Sequence, residues 1–223
     1  SSPCNPSGSV LSRKELEALA EVVARHPELY VISDEIYEHI VFDGDHVSFA
    51  TLPGMLERTI TINGLSKSFA LTGWRIGYIG APLWIAQACT KLQGQFTSGA
   101  NSIAQRVAKA CVEADPALLT GMRNDFLRRR DLVLAALKSV PGWRCNVPQG
   151  AFYLLPDVSA SFDGKSIKGS VDLSLHLLDA AGVSLVEGRS FGAEGTLRIS
   201  YATNDAKLTE AMSRVAKAIE QLR

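Results

Sequence analysis

Two periods of apolar positions alternate along this chain. Leu16, Leu19, Ala20 and Val23 recur three and four apart, the spacing of one helix face. Ser12 with Glu15 three residues on reads as a capping box, and Pro27 places the end of the helix near His26. Residues 30–33 form a short apolar run of strand type, and residues 57–62 a second, feeding an Asn63-Gly64 turn. Helix followed by strand predicts a βαβ unit and a mostly parallel sheet. Beyond Pro82 a helical pattern runs through Trp84, Ile85, Ala88 and Leu92, broken by the polar residues 93–102.

Asp115-Pro116 reads as an N-cap with Pro at the first helical position. The pattern then continues to about Ser139, through Leu118, Leu119, Met122, Phe126, Val133 and Leu137. At 1.5 Å per residue this predicts a helix of about 36 Å, long enough to link two domains. Arg128, Arg129 and Arg130 fall within it as a solvated face. Residues 141–223 read as a second unit. Strands are predicted at 150–155, 183–186 and 196–201, a helix from Val171 to Ala181 ends at Gly182, and a last helix from Asp205 buries Leu208, Met212, Val215, Ile219 and Leu222.

Composition narrows the function classes. The 223 residues are 46% hydrophobic and 21% charged, ordinary for a globular protein. Lys plus Arg equal Asp plus Glu at 23 each, so there is no basic field for nucleic acid or anionic lipid. No apolar run reaches the roughly 18 residues of a membrane span; no signal peptide is visible at residue 1, which says little where an upstream part is expected. Cys4, Cys89, Cys111 and Cys145 make no Cys-x-x-Cys pair, which fits free thiols in a cytoplasmic protein. His26, His39, His46 and His176 form no metal motif, and no metal is expected.

The chemistry gathers in residues 61–80. Lys67 lies between Ser66 and Ser68 just after a strand, with Arg75 eight residues on. An amine at a strand end can form a Schiff base with a carbonyl once its pKa is lowered. Hydroxyls and a guanidinium suit phosphate oxygens. An aldehyde carrying a phosphate describes pyridoxal phosphate, although on spacing alone the same residues read as a solvated turn. Asp34-Glu35-Ile36-Tyr37 follows the first strand, where ligands of open α/β sheets bind; the carboxylates also read as plain helix caps. Arg198 interrupts an apolar strand pattern, a rare place for an Arg without a partner.

The string Asn-Gly-Leu-Ser-Lys-Ser-Phe-Ala-Leu-Thr-Gly-Trp-Arg-Ile-Gly-Tyr at 63–78 resembles the lysine segment of the class I, fold type I aminotransferases, the aspartate aminotransferase family. Three further motifs resemble that family in the same order. They are Asn5-Pro6-Ser7-Gly8, with Ser in place of Thr, Ser-Asp-Glu-Ile-Tyr at 33–37, and Leu-Arg-Ile-Ser-Tyr-Ala-Thr at 197–203. The resemblance implies an α/β fold, with pyridoxal phosphate joined to Lys67. Asp34 would face the protonated pyridine nitrogen, Asn5 and Tyr37 the 3-hydroxyl oxygen, and Ser66 and Arg75 the phosphate. Arg198 would bind the substrate α-carboxylate, and Glu35 would be structural.

The implied activity is transfer of an amino group between an amino acid, aspartate or glutamate, and a 2-oxo acid. Residues 93–102 resemble a loop of the aspartate/prephenate subgroup that lies near the neighbouring subunit's site, which implies a homodimer. Val186-Glu187-Gly188-Arg189 departs from the Val-Pro-Gly of many members, putting the substrate-side loop and substrate choice in question. By the same resemblance residues 1–115 are the C-terminal portion of the large domain, 116–140 a linking helix and 141–223 the small domain. Ser1 then falls inside the large domain, and the N-terminal half of a complete enzyme is expected to be missing. Rival readings are a β-lyase on the same site and a cofactor-binding sensor domain of a transcription regulator.

Overall fold

A computed structural model describes residues 1–222. The chain divides into two compact units, Ser1–Pro3 with Ser9–Gly121, and Cys4–Gly8 with the chain from Met122 onward.

The first unit opens with α1 (Arg13–Ala24). The capping box forms: Ser12 Oγ accepts from the Glu15 amide at 3.3 Å, and Glu15 Oε2 from the Ser12 amide at 2.8 Å. Leu16, Ala20 and Val23 pack with Phe49, Leu52 and Met55. Leu19, predicted on the same face, is 48% exposed, so the buried stripe is narrower than the periodicity suggests. The sheet runs in the order β1 (Val31–Asp34), β2 (Thr59–Gly64), β3 (Gly77–Gly80). β1 and β2 are parallel, with Val31 opposite Thr59 and Asp34 opposite Ile62.

β3 is antiparallel to β2 and was not legible as a strand, because four residues bounded by glycine carry no alternation. Its pairing also corrects the predicted Asn63-Gly64 turn. Both residues end β2, opposite Tyr78 and Gly77. Asn63 takes up local bonds with its side chain, accepting from the Gly64 amide at 2.7 Å and donating to Glu38 at 2.6 Å, so the ladder continues through it. A Cβ at Gly64 would sit 3.1 Å from the Gly77 Cα and 3.2 Å from Ile36 Cδ1, and glycine is what lets these segments close.

α2 (Leu83–Phe96) continues through the polar residues expected to break it, and the break falls at residues 97–101. α3 (Ser102–Val112) follows, capped by Asn101, whose side chain accepts from the amides of Ile103 and Ala104. α2 buries none of its residues. Leu83, Trp84, Leu92 and Phe96 are 72%, 59%, 61% and 85% exposed.

The predicted long helix is two pieces. Asp115 caps a 3-10 turn, Pro116–Leu119, and α4 (Thr120–Leu137) follows, 18 residues long. At 1.5 Å per residue α4 is about 27 Å long, shorter than predicted because the Thr120 amide bonds back to Ala117 and tightens the first turn. The Arg128–Arg130 face is a correction as well. Arg128 and Arg129 pair with Asp205, and Arg130 donates to the Pro148 carbonyl at 3.0 Å. The side chains of Arg129 and Arg130 are only 22% and 14% exposed, so these arginines fasten α4 to its neighbours.

In the second unit β4 (Tyr153–Leu154), β6 (Leu197–Ser200) and β5 (Val186–Glu187) form an antiparallel sheet in that order. The first two predicted strands are longer than the observed ones. Ala151 turns at φ 57, which shortens β4, and the second strand begins only at Val186. α5 (Ser170–Ala181) ends on Gly182 at φ 64, and α6 (Asp205–Gln221) is capped by Asn204. Leu154, Leu173, Leu177, Leu197, Val215 and Ile219 are at most 1% exposed and form the core. Among the described residues no helix is long and apolar enough to cross a membrane.

Candidate active site

Strand topology alone gathers the lysine segment. Asp34 ends β1 and pairs with Ile62 of the parallel neighbour. Tyr37 and Lys67 therefore both leave the sheet at its carboxyl edge, where ligands bind in such sheets. β3 runs back from the same edge, since Gly77 opposes Gly64, and Arg75 precedes it there. Asp34, Tyr37, Ser66, Lys67 and Arg75 are thus brought to one end of one sheet.

Their polar atoms are only partly committed. Lys67 is half-buried, and its ammonium makes no hydrogen bond or ion pair among the described residues; only its carbonyl is used, by the Ala70 amide at 3.2 Å. Asp34 is half-buried too, with Oδ1 accepting from the Ile36 amide at a long 3.3 Å and Oδ2 without a partner among the described residues. Arg75 is exposed, adopts φ 52, and donates from Nη1 to the Thr72 carbonyl at 3.1 Å. Tyr37 is 2% exposed. Ser68, which sequence reasoning left without a role, is buried, and its hydroxyl has no partner among the described residues. An amine and a hydroxyl without partners among the described residues, a carboxylate with one open oxygen and a guanidinium with donors to spare are a set of groups that fits pyridoxal phosphate.

Arg75 also lines an open cavity of about 1350 Å³ with Asn63, Trp74, Tyr78 and residues of α2 and α3. Asp34 and Lys67 are not part of its wall. The Tyr78 hydroxyl is pushed above its ordinary pKa by burial, and further by the charge of Glu38.

Beneath Asp34 lies a buried carboxylate. Glu35, 2% exposed, accepts at Oε1 from Ser33 Oγ and Ser48 Oγ, both 2.9 Å, and from the Phe49 amide at 3.2 Å. Its Oε2 meets His46 Nε2 at 3.0 Å. Burial is the largest single influence on Glu35 and pushes its pKa up. Hydrogen bonds from His46, Ser33 and Ser48, with the charge of His46, together outweigh it and hold the carboxyl below its ordinary value.

In the second unit the structure brings together Asn5 and Arg198. Arg198 Nη1 donates to Asn5 Oδ1 at 2.8 Å, and its guanidinium lies 4.8 Å from the Tyr153 ring centroid and 4.9 Å from that of Phe191. Arg198 Nε is buried without a partner among the described residues. The two rings hold the guanidinium by cation–π attraction and leave a donor for an anion. Tyr153 lay in a predicted strand; nothing in the sequence marked Phe191.

The comparisons with known proteins agree with this geometry. The model of the aminotransferase class I and II family matches residues 1–215, and the chain belongs to that family. A Petunia hybrida bifunctional aspartate aminotransferase and glutamate/aspartate-prephenate aminotransferase is 49% identical over 98% of this chain, which covers 47% of the petunia protein. An aspartate aminotransferase of Rhizobium meliloti (strain 1021) is 43% identical, with 99% and 56% covered. The crystal structure of the aspartate aminotransferase from Rhizobium meliloti superposes with a TM-score of 0.93 at 41% identity, over 98% of this chain and 56% of that one. That of an aromatic aminotransferase from Pyrococcus horikoshii OT3 does so with 0.91 at 41% identity, over 99% and 58%. The fold is therefore α/β, that of the C-terminal part of a fold type I pyridoxal phosphate transferase, and the chain spans about half the length of the curated relatives it matches.

Proposed function

We propose that this chain carries the cofactor lysine and the substrate-carboxylate arginine of a pyridoxal phosphate-dependent aminotransferase, moving an amino group between aspartate or glutamate and a 2-oxo acid. The observation that carries this reading is the unpaired, half-buried Lys67 at the same sheet edge as an Asp34 with an open carboxylate oxygen. Pyridoxal phosphate, when bound, supplies an electron sink for the bond broken at the substrate Cα. Lys67 would hold the cofactor and, once released, would serve as the base that moves the substrate Cα proton. Asp34 keeps the pyridine nitrogen protonated by its charge. By the family resemblance, Asn5 and Tyr37 would hydrogen-bond the 3-hydroxyl oxygen, and Ser66 and Arg75 would hold the phosphate. Arg198 holds the α-carboxylate through its remaining donors. By the same reading residues 1–115 are part of the large domain, 116–140 the linking helix and 141–223 the small domain of a cytoplasmic homodimer.

The test is Asp34→Ala in the full protein. A buried-site charge pair is worth far more than one in water. Turnover with aspartate and 2-oxoglutarate is therefore expected to fall by orders of magnitude while part of the cofactor stays bound. Near-normal turnover in that variant would sink the assignment.

A further inference from the structure

We propose that Glu35 is a positioning residue for Asp34, its buried carboxylate fixing the Asp34–Tyr37 turn to the core of the first unit. The inference rests on the reading of Asp34 given above. Asp34 has one weak tether of its own, the 3.3 Å bond from the Ile36 amide, so the direction of its carboxylate follows the backbone of residues 34–36. That backbone is fastened at Glu35 on three sides. The Glu35 amide donates to the Ile62 carbonyl at 2.9 Å, its carbonyl accepts from the Glu38 amide at 2.9 Å, and its side chain takes four donors. Neighbouring residues in extended chain point to opposite faces, so gripping Glu35 from within sets where Asp34 points outside.

The far end of the grip is packed into the core. Phe49 packs among Leu16, Ala20, Val23, Leu52 and Met55, and its amide is one of the four donors. Ser48 and His46 lie just before it. The carboxylate thus joins the turn after β1 to the segment that docks under α1. An ionised carboxylate suits the task because it is acceptor-only and can take all four donors at once. Glu35, Glu38 and His46 also place one ligand atom each within 4.8 Å of one another. Both Glu35 oxygens and Glu38 Oε1 are already engaged, however: Glu38 Oε1 accepts from Asn63 Nδ2 at 2.6 Å, with His39 Nε2 3.4 Å away. The cluster works as a hydrogen-bond hub.

The test compares Glu35→Ala and the milder Ser48→Ala with wild type and with Asp34→Asn, in the full chain. Amide hydrogen exchange at Ile36 reports the Asp34 tether. We expect it to quicken at least tenfold in Glu35→Ala and severalfold in Ser48→Ala, without matching acceleration at Val23. The pH midpoint of the visible absorbance band with pyridoxal phosphate is expected to move in the direction seen for Asp34→Asn, by a smaller amount. An Ile36 rate unchanged in both variants would overturn the proposal. So would a midpoint that moves in Asp34→Asn and stays put in Glu35→Ala. A midpoint unmoved by Asp34→Asn would instead overturn the reading of Asp34, with Ile36 exchange still deciding whether Glu35 fixes the turn.

Discussion

Arg198 packs against the rings of Tyr153 and Phe191 with one Nη bonded to Asn5, so its planar group is held before any anion arrives. Truncating one partner of a buried charge pair costs about 2–5 kcal/mol, or roughly 30-fold to several thousand-fold in affinity. Arg198→Leu should weaken amino-acid binding by that factor while cofactor loading, followed by absorbance, stays as it was. An unchanged Michaelis constant and turnover would exclude the role. Glu35 makes a prediction about pH. Its folded pKa is depressed below the ordinary 4.5, so its contribution to stability is present above that value and lost as pH falls through the folded pKa. Glu35→Gln should cost about 1–3 kcal/mol at pH 7. The gap to wild type should close at pH values below the carboxylate range. Urea unfolding at both pH values measures it, and a gap independent of pH would contradict the assignment of charge to Glu35.

The hairpin of β5 and β6 carries Arg198, with Val186 directly opposite it, and its turn is set by Gly188. A Cβ at Gly188 would lie 2.0 Å from Thr196 Oγ1 and 2.2 Å from the Ala193 carbonyl oxygen. Gly188→Ala should therefore destabilise the fold by about 1–3 kcal/mol or more and disturb amino-acid binding more than cofactor binding. A thermal midpoint equal to wild type would contradict this. The departure at Glu187 and Arg189 is thus built on a glycine the hairpin requires, with Ser190 hydrogen-bonded back to Glu187. Elements with long periodic faces were legible in the sequence: α1 with its capping box, α5 stopped by Gly182, and α6. Strands of two to four residues were legible only roughly, because β3, β4 and β5 are defined by their partners and not by their own alternation. The site residues at strand ends could be picked out by motif, but the Phe191 ring by Arg198 is brought in by the hairpin turn, and three of the four donors around Glu35 come from residues 46–49, 11 to 14 positions on, contacts that no local period marks.

At the scale of the molecule, the first unit presents apolar side chains that nothing covers among the described residues. Phe96 is 85% exposed, Ile103 64% and Leu118 73%, large apolar side chains left open to solvent. The chain covers about half of the relatives whose family it shares, so the function proposed here is that of the full protein. Its central claim concerns one amine. The Lys67 ammonium has no partner among the described residues, at a sheet edge that also presents Asp34, and the chain has other lysines with which to compare it. Borohydride reduction of the full protein with pyridoxal phosphate, followed by peptide mapping, reads that amine directly. The account predicts a pyridoxyl group on Lys67, and its loss together with the visible absorbance band in Lys67→Ala. A label fixed on another lysine, with Lys67 unmodified, would contradict it.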